Sequence, residues 1–282
     1  MVERLESLLQ IAPDFGAIVL DQWGVLHDGT DAYPSAIDTV KELKSAGHRL
    51  AVLSNSGKRA APNTDRIAAI GFDVSAFEIV ISSGEALWQD ISTGRVQERN
   101  LYAIERGVGD AEKWAQGLDI RLTKSVDQAD ALLLMGLPDD SARPDYVEVT
   151  QAALSRRLRV FCTNPDRASP RAGGRVVVSP GALAHDYAQA GGEVVYYGKP
   201  HTPVFRSLEL ALDLPPQRLL MVGDSLEHDV AGGHAAGWST VFVRGGLHAR
   251  AFAQPTPPVC EVIASLAAQE AAPMPDFTLA QL

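Results

Sequence analysis

Ala17-Ile18-Val19-Leu20-Asp21-Gln22-Trp23-Gly24-Val25-Leu26 is a run of four aliphatic residues stopped by an acid and followed by a polar, glycine-containing turn. A strand buried on both faces has no polar side to alternate with, so it reads as an unbroken apolar run. That is the mark of a central strand in a parallel sheet. Just beyond it, residues 35–46 read as a helix with Ile37, Val40 and Leu43 on one face and Gly47 as its stop. Leu50-Ala51-Val52-Leu53 is a second apolar run, halted by Ser54-Asn55-Ser56, and a further helix buries Ile67 and Ile70 before Gly71. Ile79-Val80-Ile81 closes this half. Strand and helix periods in alternation predict an α/β protein whose parallel strands are joined by right-handed crossovers.

The same grammar returns late in the chain. Val194-Val195-Tyr196-Tyr197 runs into Gly198-Lys199-Pro200, and a helix follows over 205–212. Leu219-Leu220-Met221-Val222 stops at Gly223-Asp224, and Thr240-Val241-Phe242-Val243 is one more strand. The middle of the chain has an alternation of its own. Strands are expected near 101–104, 131–135 and 159–161, with a helix near 111–116. The chain therefore divides into a core of residues 1–84 and 181–282 and an inserted α/β domain over 85–180. The tail beyond Gln254, rich in proline, is expected to be irregular in part.

The 282 residues are 46% hydrophobic and 21% charged, the profile of a globular protein with an ample core. Lys and Arg number 25 against 35 Asp and Glu, a net charge of −10. That balance repels phosphate backbones and anionic bilayers, which argues against nucleic-acid and membrane partners. It leaves room for a small anion held by local donors or a bound cation. Cys162 and Cys260 have no metal-ligand spacing and are expected as two buried thiols of a reducing compartment. The acidic N-terminus, Met1-Val2-Glu3-Arg4-Leu5-Glu6, is not a signal peptide, and no apolar run approaches the ~20 residues of a membrane span. A cytoplasmic protein is expected.

Asp21, Ser54 and Asp224 each stand directly after an apolar strand, and Lys199 follows a fourth. Ligands of an open parallel sheet bind in the crevice beyond the carboxyl ends of its strands, so these residues can converge although distant in the chain. Each alone is ordinary turn or cap chemistry; the set is not. In order, Asp21-Gln22-Trp23-Gly24-Val25-Leu26, Leu53-Ser54-Asn55-Ser56, Gly198-Lys199-Pro200 and Gly223-Asp224-Ser225-x-x-x-Asp229 resemble the four motifs of the haloacid dehalogenase-like phosphohydrolases. The insertion between the second and third motifs resembles the large cap of the NagD-like nucleotide and 4-nitrophenyl phosphatases. So do Thr163-Asn164-Pro165-Asp166 and Pro180-Gly181-Ala182-Leu183 within it.

The resemblance implies a Rossmann-like doubly wound parallel core with an inserted α/β cap, and hydrolysis of a small phosphorylated metabolite such as a sugar phosphate or nucleotide. It makes Asp21 the nucleophile that forms an aspartyl-phosphate. Mg²⁺ would be held by Asp21, Asp224 and the Trp23 carbonyl, with Asp229 behind a bound water. Ser54, Asn55 and Ser56 would donate to phosphoryl oxygens, and Lys199 would neutralise developing charge. The cap is a candidate face for a homodimer.

The sequence departs from this pattern at residue 23. The family's phosphatases carry there a second Asp that protonates the leaving oxygen, and an indole can neither donate that proton usefully nor take one. Because general acid–base catalysis is worth ~10²–10⁴-fold, the expectation is a phosphatase that is slow or restricted to good leaving groups. His27 and Asp28 are the nearest substitute acids, and both also read as plain loop residues. A reading from another class is a binding or regulatory protein that keeps the phosphometabolite and loses turnover. Gly223-Asp224-Ser225-Leu226 also matches a serine-esterase string, but it stands late in the chain with no Asp-x-x-His after it. The pair Lys58-Arg59, next to Ser54, could attract an anion or simply be a solvated helix start.

Overall fold

The computed structural model describes residues 2–170 and 176–282, so Met1 and part of the 164–175 loop lie outside the described residues. The chain forms two compact units. The first comprises Met1–Ser54, Ala61–Ile81 and Lys199–Leu282; the second comprises Asn55–Ala60 and Ser82–Gly198.

The first unit is built on a seven-stranded sheet. From one edge to the other its strands are Glu3–Arg4, Phe277–Leu279, Ser239–Val243, Leu219–Gly223, Ala17–Asp21, Leu50–Ser54 and Phe77–Ser82. The pairings from the Glu3–Arg4 edge across to Leu50–Ser54 are all parallel. Ala17–Asp21, Leu50–Ser54 and Leu219–Gly223 are buried at every residue, as their unbroken apolar runs predict. Helix Pro34–Ser45 turns Ala36, Val40 and Leu43 into the core, with Ile37 only partly covered. Strand order reverses at Ala17–Asp21: the chain proceeds to Leu50–Ser54 on one side and later returns to Leu219–Gly223 on the other. This is the switch point at which a crevice opens in a doubly wound sheet.

The second unit has a parallel five-stranded sheet in the order Val194–Tyr196, Arg159–Cys162, Ala131–Leu134, Asn100–Ile104, Arg121–Leu122. Its composition corrects the boundary read from the sequence. Strand Val194–Tyr196 lies in this sheet, in register with Val160 to Cys162. Helix Pro180–Gln189 lays Leu183, Ala184 and Tyr187 on the same apolar cluster. The insertion therefore runs on to Gly198 and also takes in residues 55–60. An apolar triplet such as Val194-Val195-Tyr196 says that it pairs, not with which sheet. The tail beyond Gln254 is irregular in part, as expected, around helix Val259–Gln269 and strand Phe277–Leu279. One further expectation changes: Cys260 is exposed on that helix, whereas Cys162 is buried. Among the described residues no helix is long and apolar enough to cross a membrane.

Candidate active site at the switch point of the first unit

Register brings the site together. Leu20 pairs with Val222, and Asp21 pairs with Leu53. Asp21 therefore ends its strand beside Gly223 and Asp224 on one flank and Ser54 on the other. Asp21, Asp224 and Asp229 are buried and offer carboxylate oxygens that lie within 4.8 Å of one another. Lys199, only 2% exposed, reaches into this group, with its Nζ 2.6 Å from Asp21 Oδ1 and 2.7 Å from Asp229 Oδ1.

Glycines make the close approach possible. A Cβ on Gly24, whose φ of +78° already disfavours a side chain, would stand 1.7 Å from Asp224 Oδ2. One on Gly246 would stand 2.2 Å from the same oxygen. The Leu247 N–H donates to Asp224 Oδ2 at 2.7 Å. A wide helical turn over Leu226–Val230 folds Asp229 back, and its Oδ2 accepts the Ser225 N–H at 3.0 Å. The Ser225 hydroxyl accepts the His228 N–H at 3.1 Å. That group caps the turn.

Electrostatics follow from burial and crowding. Burial pushes the Asp21 carboxyl well above its ordinary range; Lys199 opposes this, and the charges of Asp229 and Asp224 add to it. Burial, then Asp229, pushes Asp224 up to about 7, against the Leu247 amide and Lys199. Lys199 moves up despite burial, because Asp21 and Asp229 hold its charge. Three carboxylates against one ammonium leave two negative charges without a counter-charge, and every donor in the cluster is a hard oxygen. Such a set fits a hard divalent cation.

The remaining residues singled out from the sequence divide. Ser54 is buried at the end of the strand next to Asp21. Asn55 and Ser56 belong to the second unit, where the Asn55 amide donates to Asp166 at 3.0 Å and the Ser56 hydroxyl accepts the Lys58 N–H. Arg59 pairs with Glu85 at 2.6 Å and lies 3.7 Å above the Trp88 ring, so its charge is spent within that unit.

His27 and Asp28 do turn chemistry. His27 Nδ1 accepts the Gly29 N–H at 2.8 Å, which leaves the neutral ring's proton on a buried Nε2. Burial, with Arg66 nearby, pushes this histidine down to about 4. Asp28 accepts the Thr30 and Asp31 amides. Trp23 is 41% exposed, its ring edge-on to His27 and its benzo edge resting on Gly29. The residues that the sequence did not single out are Gly246 and Leu247. Their only signal is a Gly-Gly pair after the apolar strand Thr240–Val243.

The chain is similar to known proteins. Two family profiles match: a haloacid dehalogenase-like hydrolase profile over residues 18–115 and a HAD-hydrolase-like profile over residues 196–268. Chronophin of Mus musculus is 27% identical over 253 residues, 87% of each chain. Sugar-phosphatase AraL of Bacillus subtilis (strain 168) is 25% identical over 233 residues, 81% of this chain and 83% of that one. Among solved structures, a haloacid dehalogenase-like hydrolase from Brucella suis 1330 superposes with a TM-score of 0.81 at 27% identity, covering 99% of both chains.

Proposed function

We propose that this chain, a haloacid dehalogenase-like hydrolase of the phosphatase type, hydrolyses monophosphate esters of small metabolites through an aspartyl-phosphate on Asp21. The observation that carries this reading is the Lys199 ammonium bridging Asp21 and Asp229 beside Asp224, at the switch point of a parallel sheet. Buried carboxylates have no structural need to crowd in this way. They suit a site that receives positive charge and a phosphoryl group together.

Asp21, Asp224 and the Trp23 carbonyl would hold Mg²⁺, with Asp229 orienting one of its waters. When bound, the ion supplies charge that screens an anion attacking a dianion. The chain's own groups do the rest. A carboxylate oxygen of Asp21 attacks phosphorus as the ester P–O bond breaks, and Lys199 balances the charge on both. Ser54 donates to a phosphoryl oxygen. Water then attacks the phosphorus, freeing Asp21 and inorganic phosphate. The departing alkoxide must take its proton from solvent, because Trp23 has none to give and His27 and Asp28 are engaged elsewhere. Esters of acidic alcohols are therefore the favoured substrates.

The inserted unit carries the face for pairing with a second copy. The test is phosphate release from 4-nitrophenyl phosphate with and without Mg²⁺, in wild type and Asp21→Asn. Cation-dependent release that vanishes in the variant is expected. Release that persists in Asp21→Asn would remove the nucleophile and the reading with it.

A further inference from the structure

Two large apolar side chains stand out in solvent on the loops that enclose Asp224: Trp23, 41% exposed, and Leu247, 63% exposed. Each sits one residue from a glycine that touches that carboxylate. Gly24 and Gly246 both approach Asp224 Oδ2, and a Cβ on Gly246 would also meet the Gly24 carbonyl at 2.6 Å. The Leu247 N–H itself donates to Asp224. The two loops therefore run side by side at the acid cluster, and each carries an exposed apolar side chain.

Trp23 is held in place rather than merely left out. Its benzo edge occupies the space above Gly29, where a Cβ would come within 2.1 Å of the ring. Gly29 has a φ of +103°, its N–H donates to His27 Nδ1, and its carbonyl accepts from Arg66. The His27 ring meets the indole at 66° with centroids 5.6 Å apart. A loop braced at three points holds an aromatic surface whose burial would be favourable but which the fold leaves open. The indole Nε1 has no hydrogen-bond partner among the described residues. Ordered apolar surface beside a few convergent polar groups is the composition of a ligand site.

We propose that Trp23 and Leu247 form an apolar seat for the alcohol part of the substrate, so that the enzyme takes monophosphate esters of aromatic or otherwise apolar alcohols. This rests on the reading of Asp21, Lys199, Asp224 and Asp229 as the phosphoryl site. The seat is separate from the missing acid: lack of a proton donor discriminates by the acidity of the alcohol, whereas a seat discriminates by its apolar area.

Phenyl phosphate and 2-naphthyl phosphate separate the two effects, since their phenols are of nearly equal acidity and differ by a fused ring. With Mg²⁺, wild type should prefer the naphthyl ester about fivefold in kcat/KM, most of it in KM, as expected for extra area covered on an open platform. The preference should fall toward unity in Trp23→Ala and, separately, in Leu247→Ala, and be largely kept in Trp23→Phe. Leu247→Ala trims an exposed side chain and keeps the amide on Asp224, so it carries the test even if Trp23→Ala loosens its loop. Equal efficiency on both esters, or a preference that survives Leu247→Ala, overturns the seat and leaves the phosphatase intact. No release from either ester overturns the phosphoryl site and the seat together.

Discussion

Replacing Asp224 by Asn should make the cation-free protein more stable at pH 8 and leave it nearly unchanged at pH 4. In the fold this carboxyl titrates at about 7 instead of the ordinary 3.8, because it is buried and faces Asp229. The folded state therefore holds a proton between those two values that the unfolded chain has released. Stability contributed by that proton is present below 3.8 and lost as pH rises to about 7. At ~1.4 kcal/mol per tenfold difference in proton affinity, the loss is about 4 kcal/mol. Asn carries no such charge, and it offers the Leu247 N–H a neutral carbonyl acceptor as the protonated acid does.

The variant should then nearly match wild type at pH 4 and be about 4 kcal/mol more stable at pH 8. At ~2 °C per kcal/mol for a chain of this size, that is a gain of roughly 8 °C in Tm at the higher pH. His27, pushed down to about 4, acts in the opposite sense: its lowered value makes stability rise with pH between about 4 and 6.5. It is common to both proteins, so the difference between their melting curves in EDTA isolates Asp224. Saturating Mg²⁺ should reverse the order at pH 8, raising wild type and leaving Asp224→Asn unmoved. A difference in Tm that stays constant from pH 4 to pH 8 would show that Asp224 does not sit in a repulsive cluster.

Gly24→Ala drives a methyl group into Asp224 and needs a left-handed backbone, so the Mg²⁺-induced rise in Tm should be lost or require at least tenfold more cation. Trp23→Asp restores a proton donor at the family's usual position. It should raise kcat on alkyl phosphates by ~10²-fold or more and change 4-nitrophenyl phosphate little, read as a flatter plot of rate against alcohol pKa. The two thiols should separate cleanly under Ellman's reagent at pH 8. Exposed Cys260 reacts in the native protein, whereas Cys162, buried and pushed up to about 12, reacts only after denaturation.

Local runs of sequence determined most of the core. Ala17–Leu20, Leu50–Leu53 and Leu219–Val222 are apolar without interruption because both faces of a central parallel strand are covered, and the polar residue that stops each run marks a strand's carboxyl end. Those stops are Asp21, Ser54 and, one glycine later, Asp224, which is why their meeting at one edge of the sheet is legible in the sequence. What the sequence could not carry was pairing. Val194–Tyr196 has the composition of a core strand and joins the other sheet, and Asn55 and Ser56 follow Ser54 in the chain but fold with the second unit.

The environment of single groups was equally hidden. That His27 is buried and neutral, that Leu247 supplies an amide to Asp224, and that Gly24 and Gly246 both press on one oxygen depend on segments far apart in the chain meeting at a few ångströms. Periodicity and strand endings are properties of neighbouring residues and survive in one dimension. Partner choice, burial and the charge each group feels are set by which surfaces close on each other, and only the folded chain decides that.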